Sequence, residues 1–224
     1  MPARSRNSQA SADAIAENDL GRLRNWSATV PKDCVSLASC STDIVDWDRR
    51  ARRYWPRRPF PPYRYLPGIN PHPRRDPRGH SYAAAPQPSR RLDWDPKAWP
   101  FLEDWLWGVD LFNALYLWEA HEAWEPLWLA KPKETSAELL IHGLIQVAAA
   151  ILKIRLTAVD GAAALSRGGL EKIARAAKDQ PRLLGLDLQR VVKDFSNYFR
   201  PLHERTPPPV DASVPMLTLS AVSA

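Results

Sequence analysis

The stretch Asp110–Leu129 brings charged side chains, a histidine and large aromatic residues together at helical spacing, more densely than any other part of the chain. As a helix at about 100° per residue, it has one stripe that contains Leu111, Leu115, Trp118, Glu122 and Glu125. Leucine and tryptophan on one stripe indicate a face in the core, so the two carboxylates are expected to be partly buried. Because burying an unpaired carboxylate is very costly, the fold must supply partners for them.

The remaining hydrophobic pattern predicts an all-α bundle of about four to five helices over residues 96–200. The apolar positions between Ser136 and Leu156 go nearly all the way round a helix, which is typical of the central helix of a bundle. Asp95, Thr135 or Ser136, and Asp187 are the expected N-caps, and Gly108 is expected to break or kink the chain. The predicted helices are Pro96–Trp107, Val109–Trp128, Ser136–Leu156, Asp160–Lys178 and Leu188–Arg200.

Long flanks surround this bundle. Seventeen of the 22 prolines lie in residues 56–100 and 201–215, where they disfavour helices and central strands. We expect a disordered extension over residues 1–45 and a disordered tail over residues 201–224. Residues 46–95 form an extended arm rich in proline, arginine and aromatic residues, whose aromatic side chains are expected to pack on the bundle. His72 and His80 on this arm are spaced so that they could act as ligands.

The positive charge of the chain is concentrated in the arm. Residues 46–91 contain twelve arginines, no lysine and three aspartates, which gives this segment a net charge of +9 against +6 for the whole chain. A basic arm can contact nucleic acid or an acidic protein surface. Alternatively, the arginines solubilise a proline-rich segment and pair with acids of the bundle. The polyanion-binding candidates are Arg52, Arg53, Arg57, Arg58, Arg74 and Arg75.

A polar site is predicted between the two central helices. On the first helix, His121 and Glu125 are four residues apart and Glu122 and Glu125 three apart, so each pair shares a helix face. Two close carboxylates do not both ionise freely without a cation, so one pKa is expected to be raised. On the second helix, Glu138, His142 and Gln146 share a stripe that can face them. The candidate polar residues are Glu119, His121, Glu122, Glu125, His142 and Gln146.

The cysteines and the hydropathy pattern favour an intracellular, cytoplasmic protein. Cys34 and Cys40 are the only cysteines, and their spacing is a weak signal for either a disulfide or a metal site. The N-terminus shows no apolar secretory signal. The longest apolar run, Leu139–Leu156, is interrupted by polar and charged residues, so we expect a buried helix and no transmembrane segment.

Three motifs resemble a family of small helical proteins catalogued as domain of unknown function 309. They are Asp-Leu-Phe-Asn at 110–113, Trp-Glu-Ala-His-Glu-Ala-Trp-Glu at 118–125 and Gly-Leu-Ile-Gln-Val-Ala-Ala-Ala at 143–150. The resemblance covers about residues 99–178, and the arm at 67–81 resembles an extension found in one branch. It implies a compact helical bundle and no particular activity. The positions that match the family signature are Glu119, His121, Glu122, Glu125 and Gln146, whereas His142 stands where the family has glutamine.

Three functions are compatible with this sequence. The first is a non-enzymatic binding or interaction module, favoured by the basic arm and by the lack of G-x-S-x-G or phosphate-cradling glycine motifs. The second is a metal-dependent, hydrolase-like enzyme with a divalent ion held by His121, Glu125 and His142, and with Glu122 as general base. The third is a small-molecule pocket lined by Trp118, Trp124 and Trp128. A homo-oligomer is compatible with each.

Overall fold

The fold is described from a computed structural model, in which residues 52–82, 94–206 and 213–220 are described. All of them belong to one unit of the chain, Cys40–Ala224. The predicted extension at residues 1–45 lies outside the described residues. Within these residues the regular secondary structure is helical apart from two strands of two residues each, which confirms the all-α class. A 3₁₀ helix, Pro96–Phe101, precedes α1 (Glu103–Asn113), α2 (Leu117–Leu129), α3 (Ser136–Arg155), α4 (Val159–Asp179), β1 (Arg182–Leu183), β2 (Leu186–Asp187) and α5 (Leu188–His203).

Helix α3 is the centre of the bundle. Every one of its residues is buried except Lys153 and Arg155, and it packs against α2 on one side and α4 on another. Its length and composition would suit a membrane span, but 94% of the apolar window is buried inside the protein, as in the core helix of a bundle. Gly143 allows α4 to come close, since a Cβ at this position would lie 2.8 Å from the Gly169 carbonyl oxygen.

The predicted caps are confirmed where they could be read from local sequence. Asp95 Oδ1 accepts from the Lys97 N–H, and Thr135 Oγ1 accepts from the Glu138 N–H. Asp187 caps α5 in the same way. Between the two short strands, Leu184 and Gly185 both have positive φ, which is the geometry of a two-residue type I′ hairpin turn.

The predicted single helix Val109–Trp128 is wrong. The chain breaks after Asn113, where Leu115 adopts φ 62°. The Tyr116 N–H donates to the Leu111 oxygen and the Leu115 N–H to the Phe112 oxygen, which together form a Schellman motif. Leucine replaces the usual glycine at this left-handed position, so the sequence carries no signal for the break. The stripe predicted across Asp110–Leu129 is therefore divided between two helices.

Gly108 does not break a helix either. It lies inside α1, and a Cβ at this position would come within 2.1 Å of Trp124 Nε1 on α2. The glycine is required because the two helices approach each other closely here. In a single sequence, a glycine that breaks a helix cannot be distinguished from a glycine that allows close packing. Here the distinguishing residue is Trp124, sixteen positions away.

The tail also differs from the prediction. Helix α5 continues through Pro201 to His203, and residues 213–220 pack on the bundle without regular secondary structure. Val214, Leu217 and Leu219 are at most 5% exposed. Their burial and the hydrogen bonds to Asn113 hold a segment whose proline-rich composition alone predicted no fixed structure.

Candidate functional site

Asp110 anchors the beginning of the arm to α1. Its carboxylate accepts from Arg53 Nε at 2.9 Å, from the Tyr54 N–H at 2.7 Å and from the Trp55 N–H at 2.9 Å. The carboxylate side chain is fully buried. Arg53 also stacks over Phe60, with its guanidinium carbon 4.0 Å from the ring centroid. One buried acid therefore fixes both the backbone and a side chain of the arm.

From this anchor the arm follows the junction between α1 and α2. Arg64 Nε donates to the Ala114 oxygen at 2.9 Å, and the Arg64 guanidinium lies over the Tyr116 ring. Phe60 also stacks on the Tyr116 ring, with a centroid distance of 5.0 Å. The break between the two helices exposes Ala114 O and the Tyr116 ring, and the arm covers both.

Glu119 on α2 is the second anchor. It is 3% exposed, and its Oε1 accepts from the Tyr65 N–H at 2.9 Å. His80 Nε2 lies 3.2 Å from the same oxygen, and His80 Nδ1 lies 2.8 Å from Ser81 Oγ. The His80 ring packs against Tyr63 at 4.8 Å. Tyr65 and His80, which are fifteen residues apart on the arm, therefore meet at one buried carboxylate.

Ser81, His80 and Glu119 form a hydrogen-bonded series with the residue types of a nucleophile–base–acid triad. A hydrolase also needs N–H groups that point at the developing oxyanion. Here the backbone N–H of His80 donates to the Tyr63 hydroxyl, and the N–H of Ser81 donates to the Pro73 oxygen. These two N–H groups therefore hold the turn of the arm itself, and the Ser81–His80–Glu119 contacts fix the arm on α2.

Glu122 faces the arm as well. Arg74 lies 2.8 Å from Glu122 Oε2, and His121 Nδ1 lies 3.8 Å from Glu122 Oε1. His121 is buried, whereas Glu122 and Glu125 are half-buried. The candidate general base thus carries an arginine at its carboxylate, which favours its role as an ion-pair partner.

Glu138 forms a separate polar cluster at the start of α3. Trp128 Nε1 donates to its Oε1 at 2.6 Å, and the Glu134 N–H donates to its Oε2 at 3.2 Å. Lys133 Nζ and His142 Nδ1 each lie 3.5 Å from Oε1. Burial alone would raise the pKa of Glu138, but the hydrogen bonds from His142 and Trp128 and the charge of Lys133 hold it at about 2.

This cluster predicts a specific loss of stability in acid. The folded-state pKa of Glu138 lies below its ordinary value of 4.5, so its contribution is complete above about pH 4.5 and is lost as the pH falls towards 2. At about 1.4 kcal/mol per pH unit, the contribution is at most about 3 kcal/mol. In urea unfolding across this range, Glu138→Gln should lose less stability with falling pH than the wild-type protein does. Equal pH dependence of the two proteins would contradict the assignment.

His142 and Gln146 have different partners, although both lie on α3. The His142 ring packs against Trp128 with a centroid distance of 4.3 Å, which links α3 to α2. Gln146 Oε1 instead accepts from Lys172 Nζ at 3.3 Å, which links α3 to α4. The predicted set therefore divides: Glu119 and Glu122 face the arm, His142 joins the Glu138 cluster, and Gln146 faces α4.

The residues proposed as metal ligands do not converge either. Across 52–82, 94–206 and 213–220, no group of three or more His, Cys, Asp or Glu side chains is arranged to hold a metal ion. His121 approaches Glu122, whereas His142 approaches Glu138 at the other cluster. The donor set expected from His121, Glu125 and His142 therefore does not fit a common ion.

The tryptophans proposed as pocket walls are packed into the core. Trp124 and Trp128 are fully buried, and Trp118 is 5% exposed. Tyr65 and His72 of the arm cover Trp118 edge to face, at centroid distances of 5.3 and 5.6 Å. These aromatic contacts are typical of a hydrophobic core.

The six arginines proposed to bind polyanions fall into two equal groups. Arg53 pairs with Asp110, Arg58 with Asp104, and Arg74 with Glu122. The other three are exposed and form no ion pair with any residue that the structure describes; they are Arg52, Arg57 and Arg75. Half of the set holds the arm in place, and half leaves its charge at the surface.

The family comparison covers the part of the fold that contains these anchors. Residues 105–165 match the model of the family described as Domain of unknown function (DUF309). This segment is therefore similar to a DUF309 domain. It contains the anchoring acids Asp110 and Glu119, whereas the arm residues that bind them lie outside it. Neither the curated proteins nor the solved structures include a match to the chain.

Sequence analysis missed two residues of the DUF309 segment that organise its surroundings. Asp110 was noted only as the first residue of the Asp110–Leu129 stretch and as part of a family motif, although it binds the arm. Asn113 binds the tail at Leu217. Both belong to the Asp-Leu-Phe-Asn motif. A buried polar residue between large apolar ones was the available signal, since such a residue needs a partner.

Proposed function

We propose that the protein is a non-enzymatic interaction module that binds nucleic acid through the exposed arginines of its arm. The observation that carries this proposal is the division of the arginines. Three of them neutralise acids of the bundle, and Arg52, Arg57 and Arg75 remain exposed without an acidic partner among the described residues. Phosphate groups are natural partners for guanidinium groups left in this state.

The aromatic neighbours of these arginines favour a single-stranded ligand. The Arg52 guanidinium lies 5.9 Å from the Tyr54 ring, and that of Arg57 lies 5.8 Å from the Trp55 ring. Both rings are half-buried, so one part of each remains at the surface. Basic side chains interleaved with aromatic rings are typical of surfaces that bind single strands by phosphate contact and base stacking.

The anchoring of the arm supports this function. The buried contacts to Asp110 fix the backbone between Arg52 and Arg57. The contacts of Tyr65 and His80 to Glu119 hold the arm on either side of Arg75. A fixed arm loses less conformational entropy on binding than a free one, so the same contacts give higher affinity. The polar residues once considered for catalysis support the arm or the α2–α3 connection in this proposal.

The triple variant Arg52→Ala/Arg57→Ala/Arg75→Ala tests the proposal. We expect single-stranded RNA to bind the wild-type protein with a strong salt dependence, measured by fluorescence anisotropy. On a single strand, each phosphate contact contributes about 0.7 to the magnitude of the slope of log K against log salt concentration. If each of the three arginines contacts one phosphate, the variant should reduce that magnitude by about 2. Melting temperature should change little, since these side chains make no ion pair with described residues.

The matched control is Arg182→Ala/Lys193→Ala/Arg200→Ala, which removes the same charge from exposed positions without ion pairs among the described residues. It should retain the wild-type salt slope. Equal losses in both variants would indicate a general charge effect and would contradict a site on the arm. Binding to an acidic protein but to no nucleic acid, even at low salt, would also overturn the proposal.

A further inference from the structure

His72 begins a turn of the arm that covers residues 72–76. Pro73 restricts the backbone of His72 to extended conformations, which fixes the direction in which the chain enters the turn. The His72 carbonyl oxygen accepts from the Asp76 N–H at 3.1 Å. Gly79 packs directly on the same carbonyl, since a Cβ at position 79 would collide with it. These backbone contacts hold the His72 ring in a defined position.

The His72 ring accepts two backbone hydrogen bonds at one nitrogen. The Arg74 and Arg75 N–H groups both donate to His72 Nδ1, at 3.2 and 3.3 Å. A ring nitrogen that accepts carries no proton, so the proton of the neutral ring is on Nε2. Protonation would place an N–H on Nδ1, facing the two backbone N–H groups, and both hydrogen bonds would be lost. The turn therefore requires the neutral form of His72.

The same turn contacts α2 at two points. The His72 ring packs against Tyr65 and Trp118, at centroid distances of 5.1 and 5.6 Å. Arg74, which donates to the ring through its backbone, pairs with Glu122 through its guanidinium group at 2.8 Å. Trp118 and Glu122 are four residues apart and share one face of α2. A change in the turn therefore alters both contacts to that face.

The surroundings of the ring favour its neutral form. Burial lowers the pKa of His72 most, the charges of Arg75 and Arg74 lower it further, and the carbonyl oxygen of His72 raises it in part. A histidine with a lowered pKa in the folded protein stabilises the fold through its neutral form. The contribution of His72 is therefore complete above its ordinary pKa of 6.5 and is lost as the pH falls through the folded-state value.

The acids around the turn already have partners. Asp76 is bound by Arg78, whose hydrogen bonds hold the pKa of Asp76 at about 2, so its charge is constant near neutral pH. On α2, Glu119 accepts from the arm at the Tyr65 N–H, and Glu122 pairs with Arg74. Within residues 72–76, His72 is therefore the side chain whose charge changes near neutral pH.

We propose that His72 is a pH-sensitive switch, which holds the 72–76 turn on α2 when it is neutral and releases the turn when it is protonated. Release breaks the two hydrogen bonds to Nδ1 and uncovers Trp118. The rest of the arm remains attached at Asp110 and Glu119, whose contacts do not involve His72. This inference does not depend on nucleic-acid binding by the arm.

Nitrogen NMR of the wild-type protein tests the protonation state directly. Long-range ¹H–¹⁵N spectra, assigned by comparison with His72→Asn, should show the proton of the neutral His72 ring on Nε2. The titration midpoint of His72 should lie below that of a free peptide with the sequence of residues 69–77. A proton on Nδ1 in the neutral ring, or a midpoint equal to or above that of the peptide, would overturn the proposal.

Trypsin cleavage after Arg74 and Arg75 measures the release of the turn. The rate in the full chain is divided by the rate in the free peptide, which removes the pH dependence of the protease itself. Because the bound turn requires a neutral ring, this ratio should rise by at most about tenfold between about pH 7.5 and 5.5. His72 is half-buried, so solvent screens the effect, and we expect a rise of about threefold.

Two substitutions at His72 separate titration from packing. His72→Asn retains an acceptor for the two backbone N–H groups and does not titrate, so cleavage should stay slow at both pH values. His72→Phe retains a ring without an acceptor, so cleavage should be fast at both. The other four histidines are the same in all three proteins, and their titration cancels. An equal rise in His72→Asn would overturn the proposal, as would slow cleavage of His72→Phe at about pH 7.5.

Discussion

Replacing Asp110 by alanine is expected to lower the free energy of unfolding by about 3–5 kcal/mol, the range for removing one partner of a buried ion pair. The variant loses three hydrogen bonds at once and leaves the Tyr54 and Trp55 N–H groups without their acceptor. A buried N–H group without a partner costs about 1–3 kcal/mol, so the backbone contacts account for a large share of the effect. Urea unfolding followed by tryptophan fluorescence measures the loss.

Asp104→Ala is the matched control for this prediction. Asp104 lies on the same helix and also pairs with an arginine of the arm, Arg58, at 3.3 Å. Both side chains are about 40% exposed, and exposed pairs contribute about 0–1 kcal/mol. The two variants remove the same charge, so the difference between them isolates burial and the two backbone N–H contacts. Similar losses in both would show that Asp110 does not anchor the arm.

Replacing Gly108 by alanine is expected to lower the free energy of unfolding by about 3 kcal/mol, the upper part of the range for overpacking a core. The added Cβ would lie 2.1 Å from Trp124 Nε1 and 2.6 Å from Trp124 Cδ1. Trp124 is fully buried and packs on Trp105 and Phe112, so a shift of its ring would disturb these aromatic contacts. The opposite sign would be expected from helix propensity, which favours alanine over glycine by about 1 kcal/mol.

Gly161→Ala is the matched control, in which the stabilising effect of alanine on a helix should appear because the neighbouring side chain can move. A Cβ at Gly161 would lie 3.0 Å from Lys153 Cδ, a flexible part of a long side chain. We expect this variant to be within about 0.5 kcal/mol of wild type or more stable by up to about 1 kcal/mol. Thermal unfolding compares the two variants directly. A Gly108→Ala protein as stable as Gly161→Ala would contradict the close contact between α1 and α2.

Features set by neighbouring residues could be predicted from the sequence. The cap at Thr135 and the all-round burial of α3 depend on residues within a few positions of one another, and both match the structure. The break at Leu115 could not be predicted, because its left-handed backbone is imposed by packing on a residue that rarely adopts it. Gly108 was misinterpreted for a related reason, since only the position of Trp124 reveals its role.

The candidate site shows the same limit. Periodicity correctly indicated buried acids on α2, and Glu119 is one of them. It could not show that their partners come from the arm, since Tyr65 and Glu119 are 54 residues apart. The prediction that His121 and Gln146 face each other assumed that two adjacent helices supply all the partners of the buried polar side chains. Most of the partners that the structure identifies come from the arm, from α4 and from the loop before α3. The periodicity of a helix does not indicate which distant segment packs on it.

The motif at residues 110–113 has a consequence for the order of events in folding. One turn of α1 binds the arm through Asp110 and the tail through Asn113, across sequence separations of 57 and 104 residues. The Tyr54–Leu219 hydrogen bond then joins two segments 165 residues apart. Contacts across such separations pay a large loop-closure entropy, so they are expected to form after the local helices and after the rate-limiting barrier. Disrupting either contact should therefore accelerate unfolding and leave the refolding rate nearly unchanged.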